Sequence, residues 1–121
     1  MIGIDGTRNG WITAEYTGKT WRLEFHEELE TIEAGEALID IPVGLSEDSI
    51  RKCDVKARKF LAPERHYSIF NCPVRGAVYA DSYEEACNIN EVKTGKRISK
   101  QSWNLVPKIR EANEYSGSLE L

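Results

Sequence analysis

No apolar run in this chain of 121 residues approaches the roughly 20 residues that cross a bilayer, so no membrane span is expected. The N-terminus has no basic segment followed by a long apolar one, so no secretory leader is expected either. Cysteine is scarce: Cys53, Cys72 and Cys87 are widely spaced and form no C-x-x-C pair. That excludes a zinc knuckle or a disulfide framework and points to reduced thiols in a cytoplasmic protein. No phosphate-cradling G-x-x-x-x-G-K-[ST] occurs, and Gly3-Ile4-Asp5-Gly6 is too short for a dinucleotide fingerprint. Ser68 and Cys72 stand in no base-and-orienter pattern, so nucleophilic catalysis is not indicated. His66 is a lone loop histidine, either a general base or a solvated side chain. There is no repeat, low-complexity stretch or linker, and the expectation is one domain over residues 1–121.

What is there fits a soluble globular protein: hydrophobic content is 40% and charged content 30%, too apolar for a disordered chain. The net charge of -4 argues against unspecific nucleic-acid binding by the whole surface. The charge is unevenly spread. Residues 1–50 carry 11 acids and 3 bases, whereas residues 51–121 carry 9 acids and 13 bases. Between Lys93 and Arg110 there are six bases and no acid, either a solvated helix surface or a face for an anionic ligand.

Two stretches share one design. Met1-Ile2-Gly3-Ile4-Asp5-Gly6 and Ala37-Leu38-Ile39-Asp40-Ile41-Pro42 each run apolar, then reach an Asp, then turn at Gly or Pro. An Asp at the end of such a strand is paired, hydrogen-bonded or metal-bound if it is buried. If the two strands are parallel neighbours, Asp5 and Asp40 meet at their carboxyl ends, where ligand sites of open α/β sheets collect. Two converging carboxylates suit Mg²⁺ or Mn²⁺; the bland alternative is a pair of turn acids. Glu33 and Glu36 are further candidate ligands.

Between these stretches, Trp11–Tyr16 and Thr20–His26 read as strands joined by the turns Thr7–Gly10 and Thr17–Lys19, giving an antiparallel meander. Trp21, Leu23 and Phe25 alternate with Arg22, Glu24 and His26, the pattern of a half-buried strand. Residues 27–35 read as helical or irregular. Ala37–Ile41 lacks alternation and is expected to be central and covered on both faces. Ser46 is expected to cap a helix over 47–61 whose buried face holds Ile50, Cys53, Ala57, Phe60 and Leu61. Arg51, Asp54 and Arg58 lie beside that face, close enough to interact. Residues 64–80 read as a long loop, often a functional feature. Ser82 with Glu85 predicts a capping box for a helix ending near Gly95. Ser99 predicts a cap for a last helix, with Ile98 and Trp103 as its hydrophobic staple. Pro107 is expected to kink that helix, and the tail from Ser116 to fray.

Taken together these motifs resemble the domain-of-unknown-function family 429, whose members are often described as predicted nucleases with a ribonuclease-H-like fold. Gly3, Ile4, Asp5, Gly6, Arg8, Gly10 and Trp11 resemble its opening G-I-D-G-C-R-G-G-W. Asp40, Pro42, Gly44 and Leu45 resemble D-x-P-I-G-L. Arg51, Cys53, Asp54, Ala57 and Arg58 resemble R-x-C-D-x-x-A-R; Ser68, Phe70, Pro73 and Arg75 resemble S-x-F-x-x-P-x-R; Ser99 and Gln101 resemble S-x-Q. Thr7 stands where the family has Cys, Asn9 where it has Gly, and Asn113 where an acid is expected. A later H-P-E segment is absent, so the chain is expected to be an N-terminal part or a short version of the family domain. The resemblance implies an α/β, ribonuclease-H-like fold: a three-stranded antiparallel meander, a parallel strand beside strand 1, and helices packed on the sheet. It also implies Asp5 and Asp40 as the acidic pair.

The leading expectation is a metal-dependent phosphodiester hydrolase with Asp5, Asp40 and Asp54 as catalytic acids. Asp5 and Asp40 hold Mg or Mn, and Arg8, Arg51, Arg58 and Arg75 contact phosphate. The alternatives are a non-catalytic module that binds nucleic acid or another anionic partner, and a nucleotide-binding protein. Self-association into a homo-oligomer is also expected, through a strand flank and helix faces left uncovered.

Overall fold

The computed structural model describes residues 1–33, 35–65 and 70–117. Of the residues singled out above, His66 and Ser68 lie outside the described residues. The chain divides into two compact units: 1–43 with 111–121, and 44–110.

The first unit is a mixed sheet. Strands β1 (Ile2–Thr7), β2 (Gly10–Tyr16), β3 (Trp21–His26) and β4 (Ala37–Ile39) lie in the order β3-β2-β1-β4. β1 pairs antiparallel with β2, and β2 with β3, while β4 is parallel to β1. The meander follows from short turns that leave no room for a crossover. The link from β3 to β4, with a 3₁₀ turn at Leu29–Thr31, is long enough to return the chain parallel to β1. Gly10 permits the tight entry to β2: a side chain there would meet the His26 carbonyl and the ring of Phe25.

One face of the sheet is the core. Ile2, Ile4 and Trp11 are buried with Leu29, Ile32 and Ala112, and Ile39, Ile41 and Tyr115 pack around them. Ala112 and Tyr115 come from the end of helix α4 (Lys100–Gly117), which belongs to this unit from Glu111 onward. The other face carries Ile12, Leu23, Phe25 and Leu38, all exposed. This corrects two expectations. β3 does alternate, but its apolar side is the open one. β4 is an edge strand with one open face, and among the described residues it pairs with β1 alone.

The second unit is helical. Helix α1 spans Lys52–Leu61, α2 Arg75–Val78 and α3 Tyr83–Thr94, with α4 as far as Arg110. Ser46 accepts hydrogen bonds from the amides of Asp48 and Ser49, so it closes a turn, and α1 begins only at Lys52. Phe60 and Cys53 are exposed, and the buried residue of α1 is Asp54. Ser82 caps α3 by accepting from the Glu85 amide, and Gly95 ends it at φ 79°. Ser99 accepts from the Ser102 amide at the start of α4, beside the expected contact of Ile98 with Trp103. Helix α4 continues through Pro107. Val74, Ala77, Ala80, Ala86, Cys87 and Ile98 form the core.

Candidate functional site

Asp5 and Asp40 come from the same register step of two parallel strands. Ile4 pairs with Ile39, and the Asp40 amide donates to the Ile4 carbonyl at 3.4 Å, so the two acids follow one another across the ladder. Residues directly opposite in a parallel pair share a face. Ile4 and Ile39 point to the core, so Asp5 and Asp40 point to the open face. There they line one shallow depression of about 500 Å³ with Gly3, Ile12, Ala14 and Leu38. Both are exposed, and among the described residues neither carboxylate has a hydrogen-bond or ion-pair partner. The arrangement suits a hard cation, which takes oxygen ligands and often uses only one or two carboxylates beside water or phosphate oxygens. No group of three or more His, Cys, Asp or Glu side chains that could hold a metal is found among the described residues. Glu33 and Glu36 are exposed and do not line the depression.

The segments behind the pair are held by residues that spacing did not reveal. Glu111 accepts from Trp11 Nε1 and from the Leu29 amide, both at 2.9 Å, and so ties β2 to the 3₁₀ turn. Asn113 donates from Nδ2 to the Pro42 carbonyl at 2.9 Å, two residues beyond Asp40. A carboxylate cannot donate that bond. The amide at the position where an acid was expected therefore fixes the loop that follows Asp40. Arg8 is exposed in the turn after β1, near Asp5 in the chain.

The other sequence candidates belong to the second unit. Asp54 is 7% exposed and is gripped by Arg51 through two hydrogen bonds of 2.8 and 3.0 Å, with the Cys72 amide at 3.4 Å. Burial pushes its carboxyl upward, but the Arg51 guanidinium, the Cys72 amide and the Cys53 thiol outweigh that and hold it below its ordinary value. Burial pushes the Cys72 thiol up to about 11, despite Arg51 nearby, so it is no nucleophile at neutral pH. Arg75 pairs with Glu47 at 2.7 Å.

Two adjoining indentations of about 420 and 520 Å³ mark this unit and share Ile50, Asn71 and Lys96. The first adds Phe70, Arg97, Ser99 and Gln101; the second adds Val55, Arg58 and Lys59. Among the described residues no carboxylate lines either one. Phe70, Ser99 and Gln101, distant in the chain, are thus brought together. The loop reading of residues 64–80 gave no sign of this, because the wall is assembled by α3 and α4.

No curated protein and no solved structure matches the chain. The family described as "Protein of unknown function (DUF429)" matches over residues 3–119, from the second residue of β1 through all of α4, and the chain belongs to it.

Proposed function

We propose that the protein is a metal-dependent phosphodiester hydrolase built on a ribonuclease-H-like sheet. The observation that carries this reading is the placement of Asp5 and Asp40 at the same step of two parallel strands, on one face, with no partner among the described residues. The strand order β3-β2-β1-β4, with β4 parallel to β1, supports the same fold reading. In this proposal Asp5 and Asp40 hold Mg²⁺ or Mn²⁺ as oxygen ligands, which fits the donor set of two unengaged carboxylates. Held by Asp5 and Asp40, such an ion would supply an activated water at neutral pH and offset charge on the leaving oxygen. The Trp11–Glu111–Leu29 and Asn113–Pro42 hydrogen bonds keep the backbone behind each carboxylate in place, and Arg8 is the nearest base in sequence for a phosphate oxygen. Asp54 serves the helical unit through Arg51 rather than the reaction.

The test is Mn²⁺ titration by calorimetry, with hydrolysis of RNA, DNA and RNA–DNA hybrid as the second readout. Saturable binding that is lost in both Asp5→Asn and Asp40→Asn is expected, with cleavage lost in the same variants. A wild-type protein that binds no Mn²⁺ would end the reading.

A second reading rests on the helical unit. Its indentations present Lys59 and Lys96 with no carboxylate in their walls among the described residues, beside the apolar Ile50 and Phe70, while Arg97 in the same wall is paired with Glu91 at 2.8 Å. That combination suits single-stranded nucleic acid, whose phosphates and bases ask for charge and stacking. Binding that weakens with salt and is lost in Lys59→Glu and Lys96→Glu, but not in Asp5→Asn, would favour a binding module.

A further inference from the structure

We propose that the open face of the sheet is an interface with a second copy of this chain, laid face to face with its strands reversed. This goes beyond the hydrolase reading and competes with it for one face, since the second copy would cover the depression that holds Asp5 and Asp40; a dimer and a Mn²⁺-binding monomer are therefore distinct outcomes. Ile12, Tyr16, Trp21, Leu23, Phe25 and Leu38 are 43% to 69% exposed. Register puts them on one side. Tyr16 pairs with Trp21 and Ile12 with Phe25, while Leu23 and Leu38 lie opposite Ala14 and Gly3. The rings of Tyr16 and Trp21 already pack, with centroids 5.3 Å apart.

Aromatic side chains bury about 150–250 Å² each and the three aliphatic ones fall near the lower end, so the six at these exposures show roughly 600–700 Å². The largest apolar patch of a typical monomer is about 300–600 Å². One partner in a standard interface gives about 800 Å². The face is therefore larger than a monomer normally leaves open and close to what a stable dimer requires. A twisted sheet packs well on another of the same twist, with strands nearly aligned and the sheets about 10 Å apart. A second copy offers that shape, and an isologous pairing needs only one patch that fits itself.

Charge chooses the orientation. The face carries Asp5 and Asp40 at one end and no other charged side chain along its strands. Lys19 lies in the turn between β2 and β3, at the opposite end. Arg8 adjoins the acidic end, which still keeps one negative charge more than positive. A two-fold axis across the strands sets Lys19 of each copy over the acidic end of the other. A two-fold axis along them would instead gather four carboxylates, which repel.

Sedimentation of the full chain, with circular dichroism as the control for folding, decides the matter. A dimer is expected at micromolar concentration, and Trp emission should shift to the blue as concentration rises through the transition. Leu23→Glu and Trp21→Glu, both at exposed positions, should weaken association by about tenfold or more with the fold unchanged. Lys19→Glu should weaken it as well, and adding Asp5→Lys to that variant should restore it. A wild-type monomer at all concentrations would overturn the proposal, as would a monomer that instead takes up detergent micelles. A dimer indifferent to Leu23→Glu would do the same, and failure of the charge swap to restore association would overturn the reversed orientation.

Discussion

Asp40 and Asp54 are fourteen residues apart in the chain and in opposite circumstances. Asp40, with Asp5, is exposed and without a partner among the described residues; Asp54 is buried and bound on both oxygens. The units around them differ in the same sense. Residues 1–43 and 111–121 hold 12 acids and 3 bases, and residues 44–110 hold 8 acids and 13 bases. A carboxylate that holds a fold together is desolvated and answered by a cation and an amide. One that waits for a ligand is left in solvent with its lone pairs unspent. The contrast assigns Asp54 to stability and leaves the Asp5–Asp40 pair available for the proposed ligand, and substitutions can separate the two roles.

The largest expected effect is at Asp54. Asp54→Ala leaves the Arg51 guanidinium partly buried without its anion and the Cys72 amide unpaired. Removing one partner of a buried ion pair costs about 3–5 kcal/mol, so urea unfolding should show a loss near the lower end of that range, given some exposure of the pair. The same bond makes stability acid-sensitive. Asp54 is held below its ordinary value of 3.8 when folded. Its contribution is therefore fully present above the unfolded value and is lost as pH falls through the folded one. Wild type should lose stability below about pH 4 more steeply than Asp54→Ala. Equal slopes would mean that the pair contributes nothing.

Next comes Gly10→Ala, in the sheet unit. The added methyl would meet the His26 carbonyl, which is backbone and cannot swing aside, as well as the Phe25 ring. The strand must shift, at about 1–3 kcal/mol. A thermal melt unchanged from wild type would show that the β2–β3 ribbon yields more readily than its register suggests.

The sheet was legible because its signals are local. Gly and Asn turns bound the meander, and an apolar run that ends at Asp40 after a crossover predicts a strand parallel to β1. Helix α3 was legible for the same reason, with Ser82 at one end and Gly95 at the other. What period two cannot say is which side of a strand meets the core. Trp21, Leu23 and Phe25 carry the apolar pattern, yet the core is built on the other side by Leu29, Ile32 and Ala112, residues from other segments. Asp54 was visible as a neighbour of Arg51, but its burial depends on the Cys72 amide, eighteen residues on. Glu111 is a hundred residues from Trp11, and no spacing rule reaches that far.

Asn113→Asp tests the sheet unit from behind. The change would set a carboxylate against the Pro42 carbonyl and remove a donor, at about 1–3 kcal/mol for a buried acceptor left unsatisfied, less here because the site is only partly buried. It should also loosen the loop after Asp40, so Mn²⁺ affinity should fall with stability. If affinity instead rises while stability falls, position 113 is close enough to supply a ligand, and the acid expected there would be functional.

The smallest expected effect is at Thr7, where the family resemblance calls for Cys. Its Oγ1 is buried and has no hydrogen-bond partner among the described residues. A hydroxyl taken out of water without a partner costs about 1–3 kcal/mol on mutational scales. Replacing it with a methyl of the same shape removes that cost while keeping the packing at the end of β1. Thr7→Val should therefore match or exceed wild type in thermal stability, a rare direction for a substitution next to a proposed site. Thr7→Cys should behave alike, because a thiol is a weak donor that tolerates an apolar setting. Thr7 follows Asp5 by two residues on the same strand and so shares its open side. If Thr7→Val keeps stability but weakens Mn²⁺ binding, the hydroxyl is part of the ligand surroundings of the pair. If it keeps both, the carboxylates act without it, and the division between a helical unit that spends its acid on folding and a sheet unit that holds its acids open stands as drawn.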